Sequence, residues 1–192
     1  MNVHRESAEF PPCLKEFITR EGDTVQVVGT LSPNSMPQEL LELCIRETGA
    51  DRLRKGAYID MCRIATAEPV RAGQVPMLLG ISNVPNGLHH TLETYCMHLR
   101  NILRLMEQHE NYCFLPLEQK NWPSYDPFVS EGGLALILRT TEPFLMLEIR
   151  REPMVAALRE HLLRKAVSVG YDGMHRENIR MALRALIQEL GG

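Results

Sequence analysis

Hydrophobic and polar positions recur along this chain in two periods, and the changes from one to the other mark out its elements. The run TVQVVGTL over 24–31 is rich in β-branched residues and stops at Ser32, Pro33 and Asn34, the pattern of a strand entering a turn. Pro37 opens a helix with Leu40, Leu41, Leu43, Cys44 and Ile45 on its apolar side, and Gly49 ends it. A second helix is predicted over 51–65 from Leu53, Ala57, Met61 and Ile64, followed by a connector over 68–76 and a short apolar run over 77–81. NVPNG over 83–87 is turn chemistry, and the longest amphipathic helix starts behind it, near 88–91. Leu88, Leu92, Tyr95, Cys96, Leu99, Ile102, Leu103 and Met106 share one face of that helix, and Glu93, Arg100, Asn101, Arg104, Glu107 and Gln108 share the other.

Glu110 and Asn111 end this helix, and 112–115 enters a sheet directly. A long connector over 116–133 follows, with Trp122, Pro123, Ser124, Tyr125, Asp126 and Pro127 at its centre; its length and aromatic content mark it as a binding or gating loop. LALIL over 134–138 is apolar on both alternating faces, as a strand covered on two sides would be, and 144–149 completes an antiparallel hairpin with it. Pro153 starts a helix with Val155, Leu158, Leu162 and Ala166 inward, and a final helix presents Ile179, Leu183, Leu186, Ile187 and Leu190. The expected fold is therefore α/β: a small mixed sheet of about five strands, at 24–31, 77–81, 112–115, 134–138 and 144–149, covered by amphipathic helices. Residues 1–23 read as an N-terminal arm with a short helix around 14–19, and 24–192 as a single domain.

A chain of 192 residues can bury a substantial core. Its five cysteines are odd in number and scattered through apolar surroundings, which suits reduced thiols in a cytoplasmic protein. The start MNVHRESAEF lacks a basic stretch followed by an apolar one, and no apolar run approaches the roughly 20 residues that span a bilayer, so neither secretion nor membrane insertion is expected. The balance of 24 acidic and 21 basic residues argues against whole-chain binding to nucleic acid or an anionic membrane.

His89, His90, Glu93, Cys96 and His98 crowd the start of the long helix, but His98 projects about 200° away from Cys96 at roughly 100° per residue. Neither HExxH nor paired CxxC accompanies them, so they read as structural and no metal is expected. Cys113 reads as a packed strand residue. The chain has no GxSxG elbow, no GxxxxGK[ST] loop and no GxGxxG turn, and no catalytic residue or cofactor is assigned. Over 43–60, Arg52, Arg54 and Lys55 give a basic second helix after Gly49, yet Ile45 stands where a helix-turn-helix prefers a small residue, and Lys55 and Tyr58 would point inward. A ligand surface is expected from Tyr95, Trp122 and Tyr125, which can stack, and Arg139, which can pair an anion.

The succession HLRNILRLMEQHENYCFLPL, EGGLALILRTTEPFLMLEI and EPMVAALREHLLRKA, within 88–168, resembles the C-terminal effector half of bacterial Cro/C1-type helix-turn-helix transcription regulators. The likeness lies in element order and in His98-Leu99, Asn101-Ile102-Leu103 and Asn111-Tyr112. It implies a non-catalytic domain that senses a small-molecule effector or dimerises, forms a homo-oligomer, and meets nucleic acid only through a separate DNA-binding module. Some domains of this general regulator class are similar to the phospholipase D fold, but its HxKxxxxD signature is missing here, since Arg100 stands where the Lys would be. Two other readings follow from the residues: a small enzyme using His89, His90, His98 or Cys113, and direct DNA binding through a 51–60 helix carrying Arg52, Arg54 and Lys55.

Overall fold

The computed structural model describes residues 2–4, 16–17, 22–32, 35–37, 39–40, 56–77, 89–117, 125–139, 145–169 and 176–191. In chain order its elements are β1 (Asn2–His4), β2 (Thr24–Val28), β3 (Tyr58–Arg63), α1 (Ala67–Arg71), α2 (Leu92–Gln108), β4 (Tyr112–Leu117), β5 (Asp126–Ser130), β6 (Leu134–Arg139), β7 (Leu145–Ile149), α3 (Glu152–Ser168) and α4 (Arg176–Glu189). The fold is α/β, with one mixed sheet of seven strands in the order β1-β7-β6-β5-β2-β3-β4 rather than about five. Strands β2, β3 and β4 run parallel, and β5, β6, β7 and β1 continue the sheet antiparallel from β2.

Alternation along the strands divides the core in two. Val28, Tyr58, Cys62, Tyr112, Phe114, Phe128, Leu136 and Leu138 turn to the face carrying α2, whereas Val25, Val27, Ile59, Met61, Leu115, Val129 and Ile149 turn to the face carrying α3. Helix α2 begins with a capping box in which Thr91 and Thr94 satisfy each other's backbone N–H groups, and it buries Tyr95, Cys96, Leu99, Ile102 and Met106 as its periodicity predicts. Val155, Leu162 and Ala166 of α3 are buried against the opposite face. Helix α4 buries Leu183 and Ile187 and packs on α2 and on the outer strand β4.

The predicted 51–65 helix is overturned where it is described: 58–63 is strand β3, between β2 and β4. Tyr, Ile, Asp, Met and Cys in succession are buried on both faces, so Met61 and Ile64, taken as one turn of helix, belong to a pleated segment with period 2. Tyr58, Ile59 and Asp60 thus lie in the sheet core, which removes that part of the proposed DNA-binding helix; Arg52, Arg54 and Lys55 lie outside the described residues. The N-terminal end of β3 approaches β2 through Gly56 (φ +146°), where a Cβ would stand 2.5 Å from the carbonyl carbon of Gly22. Asp23 closes the junction by accepting the Ala57 N–H at 2.7 Å and Arg159 of α3 at 3.2 Å.

The expected 116–133 loop is also shorter. Pro116 and Leu117 finish β4, and Asp126–Ser130 forms β5 inside the sheet. Pro127 is tolerated because the β2 ladder takes only Phe128, Val129 and Ser130, leaving the missing N–H of Pro127 outside it. The β6–β7 hairpin agrees with expectation, pairing Leu136 with Glu148 and Leu138 with Met146. Of the expected 77–81 strand, Met77 is described and lies in a bend, while 78–81 lie outside the described residues, as do 41–50 of the helix expected after Pro37. Asn2–His4, in the expected N-terminal arm, pairs with β7. Among the described residues, no helix is long and apolar enough to cross a membrane.

Candidate functional site

Every buried polar side chain borne by β2 to β7 stands on the α2 face: Thr24, Gln26, Asp60, Asp126, Ser130 and Glu148 each alternate with residues of the opposite core. Three adjacent parallel strands bring the central ones together. Asp60 accepts from Gln26 Nε2 at 2.6 Å on one carboxylate oxygen and from the Tyr112 hydroxyl at 3.0 Å on the other, and Gln26 Nε2 also donates to Ser32 Oγ. Burial, reinforced by Asp60, pushes the Tyr112 phenol well above its usual range. The Cys62 thiol is likewise raised, first by burial and then by the Asp60 and Asp126 carboxyls, which is the opposite of what a thiolate nucleophile needs.

The chain leaving β2 is pinned to α2 through His98, which is fully buried rather than on the solvated side. His98 Nε2 lies 3.1 Å from both the Ser32 carbonyl and Ser35 Oγ. A carbonyl only accepts, so Nε2 carries the hydrogen and donates. Ser35 Oγ in turn donates to Ser32 O at 3.0 Å, and Asn101 Nδ2 donates to Ser35 O at 2.7 Å. This serine and histidine therefore hold a turn in place; the imidazole offers Ser35 no lone pair for proton abstraction.

Among the buried polar atoms on this side without a hydrogen-bond partner are His90 Nε2 and Asp126 Oδ2. His90 packs edge-on against Tyr95 with ring centroids 5.2 Å apart, and burial lowers its pKa to about 4. Burial raises the Asp126 carboxyl to about 7, against a lowering contribution from the Gly29 backbone N–H. Asp126 begins β5 beside the C-terminal end of β2, and no sequence motif singled it out.

The four expected ligand-surface residues separate. Tyr95 is wholly buried, and its hydroxyl accepts the Ala65 N–H at 2.9 Å, so it is a core residue tying α2 to the end of β3. Tyr125 is 42% exposed and Arg139 half-buried; they lie one step beyond the Asp126–Leu138 pair, at the same end of β5 and β6. Trp122 lies outside the described residues.

A separate apolar cleft of about 530 Å³ opens at the β4 edge. Ile64 and Pro116 wall it from the sheet, Val169 from the end of α3, and Ile179, Leu183 and Leu186 from α4, with Asn178 as its polar side chain. Helix α4 is held over this edge by Arg176, whose guanidinium donates to the carbonyls of Tyr112 at 2.6 Å, His109 at 2.8 Å and Met106. Glu107 of α2 adds ion pairs to Arg184 at 2.7 Å and Arg180 at 3.4 Å. On β4, burial raises the Cys113 thiol to about 11 against the opposing pull of Arg176. Among the described residues, no three His, Cys, Asp or Glu side chains converge as a metal site would require. No family model matches this chain, and neither the curated proteins nor the solved structures hold a match to it.

Proposed function

We propose that the chain is a non-catalytic sensor domain that binds a small, mainly apolar effector in the cleft between the β3–β4 end of the sheet and α4. Its setting would be bacterial transcription control, as the resemblance within 88–168 implies. The cleft is the observation that carries this reading. Its volume of about 530 Å³ and its apolar walls with one amide suit a small molecule bound by surface burial and oriented by a few hydrogen bonds. The Asn178 amide both donates and accepts, so it would meet a carbonyl or a hydroxyl equally well. The catalytic alternative has less support, because His98 is committed as a donor and both Cys62 and Cys113 are held toward the thiol. A ligand wedged against Ile179, Leu183 and Leu186 presses on α4, whose outer side exposes Met181, the surface through which a homo-oligomer would read occupancy.

Anilinonaphthalene sulfonate, followed by fluorescence, and a metabolite panel, followed by melting temperature, test this reading. An effector raises the melting temperature by mass action. Ala182 lines the cleft on an exposed turn of α4, so Ala182→Phe fills the space and is expected to abolish both dye binding and stabilisation, while Trp122→Ala preserves them. The reverse pattern moves the site to the 118–124 segment. If no panel member stabilises the protein and Ala182→Phe leaves dye binding unchanged, the sensor reading fails.

A further inference from the structure

A second, smaller cavity of about 160 Å³ opens beneath α3, where the parallel strands β2 and β3 begin. The apolar cleft lies at the other end of these strands, beside Ile64 and Pro116. Val25 and Ile59, partners across the parallel ladder, give the small cavity apolar walls together with Leu163 of α3. Arg159, one helical turn before Leu163 and so on the same side of α3, brings a guanidinium to it, and Asp23 and Ala57 complete the lining. The strand starts are locked together: Thr24 N–H donates to the Ala57 carbonyl at 2.8 Å, and Gly56 stands so close to Gly22 that no Cβ fits between them. The cavity is therefore formed before anything enters it.

The guanidinium is held by a single contact. Arg159 Nη2 donates to Asp23 Oδ2 at 3.2 Å, and among the described residues this is its one partner. Arginine carries N–H donors along two edges of a planar fork, so one bond from Nη2 leaves a complete edge for an acceptor. Its side chain is 31% exposed, which keeps that edge within reach of solvent. Asp23 is the more fully committed partner, since its other oxygen accepts the Ala57 N–H at 2.7 Å.

We propose that this cavity binds a short-chain monocarboxylate, with the carboxylate on the open edge of Arg159 and the alkyl end against Val25, Ile59 and Leu163. Charged contact at one end and hydrocarbon at the other is the composition of a small-ligand site. The volume equals roughly five waters at about 30 Å³ each, which admits a few carbon atoms and no long chain. Phosphate would bring a second negative charge next to Asp23 and leave the apolar walls without a partner. A metal ion would meet the guanidinium, and both Asp23 oxygens already accept hydrogen bonds. A neutral alcohol of the same size would forgo the charge-assisted bonds to Arg159.

The test is an NMR titration of the full chain with sodium propionate, following the methyl groups of Val25, Ile59 and Leu163 and the Nε–H of Arg159. Propionate is expected to shift these signals saturably, whereas sodium chloride, sodium phosphate and 1-propanol at matched concentration are not. Arg159→Gln should weaken propionate binding about tenfold or more, and Arg159→Lys should fall between, keeping the charge without the fork. Ala182→Phe, which blocks the apolar cleft, should leave propionate binding unchanged. Shifts that never saturate, shifts matched by chloride or 1-propanol, or an unchanged affinity in Arg159→Gln overturn the proposal. Loss of binding in Ala182→Phe places the acid in the cleft and overturns it as well. The wild-type comparison of propionate with 1-propanol and chloride decides the matter even if Arg159→Gln fails to fold.

Discussion

The two faces of the sheet are built from the same strands and differ in what they bury. Under α3 the strands contribute Val25, Val27, Ile59, Met61, Leu115, Val129 and Ile149, a contact of hydrocarbon with hydrocarbon. Under α2 the intervening positions bring Gln26, Asp60, Tyr112 and Asp126 into an interior that also holds His90 and His98. A buried polar group costs stability unless its partners are in place, and an apolar core of similar volume would be at least as stable. The contrast shows where specificity is concentrated: the α3 face anchors the sheet, while the α2 face fixes the chain leaving β2 and leaves His90 Nε2 and Asp126 Oδ2 without a hydrogen-bond partner.

The sharpest way to break this comparison is to remove the centre of the polar face. Asp60→Ala leaves the Gln26 amide and the Tyr112 hydroxyl without their shared acceptor, and at about 1–3 kcal/mol for each orphaned donor the expected loss is about 4 kcal/mol by urea denaturation. Leu162→Ala under α3 is expected to cost a similar about 2–5 kcal/mol through its cavity, but Asp60→Asn should recover part of the first loss, a rescue with no counterpart on the apolar face.

The pH dependence of stability comes next. Asp126, raised to about 7, holds its proton in the folded chain while the unfolded carboxyl has lost it, so its contribution falls as pH rises from about 4 to about 7. His90, lowered to about 4, stays neutral while the unfolded imidazole charges; its contribution is complete above about 6.5 and is lost as pH falls toward 4. The two slopes oppose, each amounting to at most about 3–4 kcal/mol. Asp126→Asn should leave stability rising with pH across this window, and His90→Gln should leave it falling. Melting curves between pH 4 and 7 that have the same slope in both variants would remove the distinction between these two groups.

Tyr112→Phe is a smaller probe. It deletes one donor to Asp60 while keeping the ring, and about 1–2 kcal/mol is expected. Glu107→Ala, which breaks the exposed pairs to Arg180 and Arg184, should shift the melting temperature least, and that shift should vanish in high salt.

The amphipathic helices were readable because their burial repeats every three to four residues, as Cys96, Leu99, Ile102 and Met106 illustrate. The β6–β7 hairpin was readable because LALIL needs cover on both faces. Strand β3 was not, because a strand buried on both sides loses the apolar–polar alternation and its residues fit helical spacing equally well. The same ambiguity hid the polar centre: Gln26 and Asp60 lie 34 residues apart, and only the parallel register that places them opposite each other turns two ordinary polar residues into a pair. Asp126 and His98 carry no local motif, since the significance of each depends on neighbours from distant strands and loops. Tyr125 and Arg139 were selected separately for stacking and charge, and it is the pairing of β5 with β6 that puts them at one end of the sheet.

Arg176 has a consequence for assembly. Its guanidinium gathers three carbonyls from the end of α2 and the start of β4, and so keeps α4 over the outer strand of the sheet. If α4 came away, the outward backbone groups of β4 would form an open template for strands of other molecules, interrupted only where Pro116 has no N–H to offer. Arg176, together with the buried Leu183 and Ile187 and the Glu107 ion pairs, thereby keeps the edge of β4 from serving as a site where sheets of other molecules could extend.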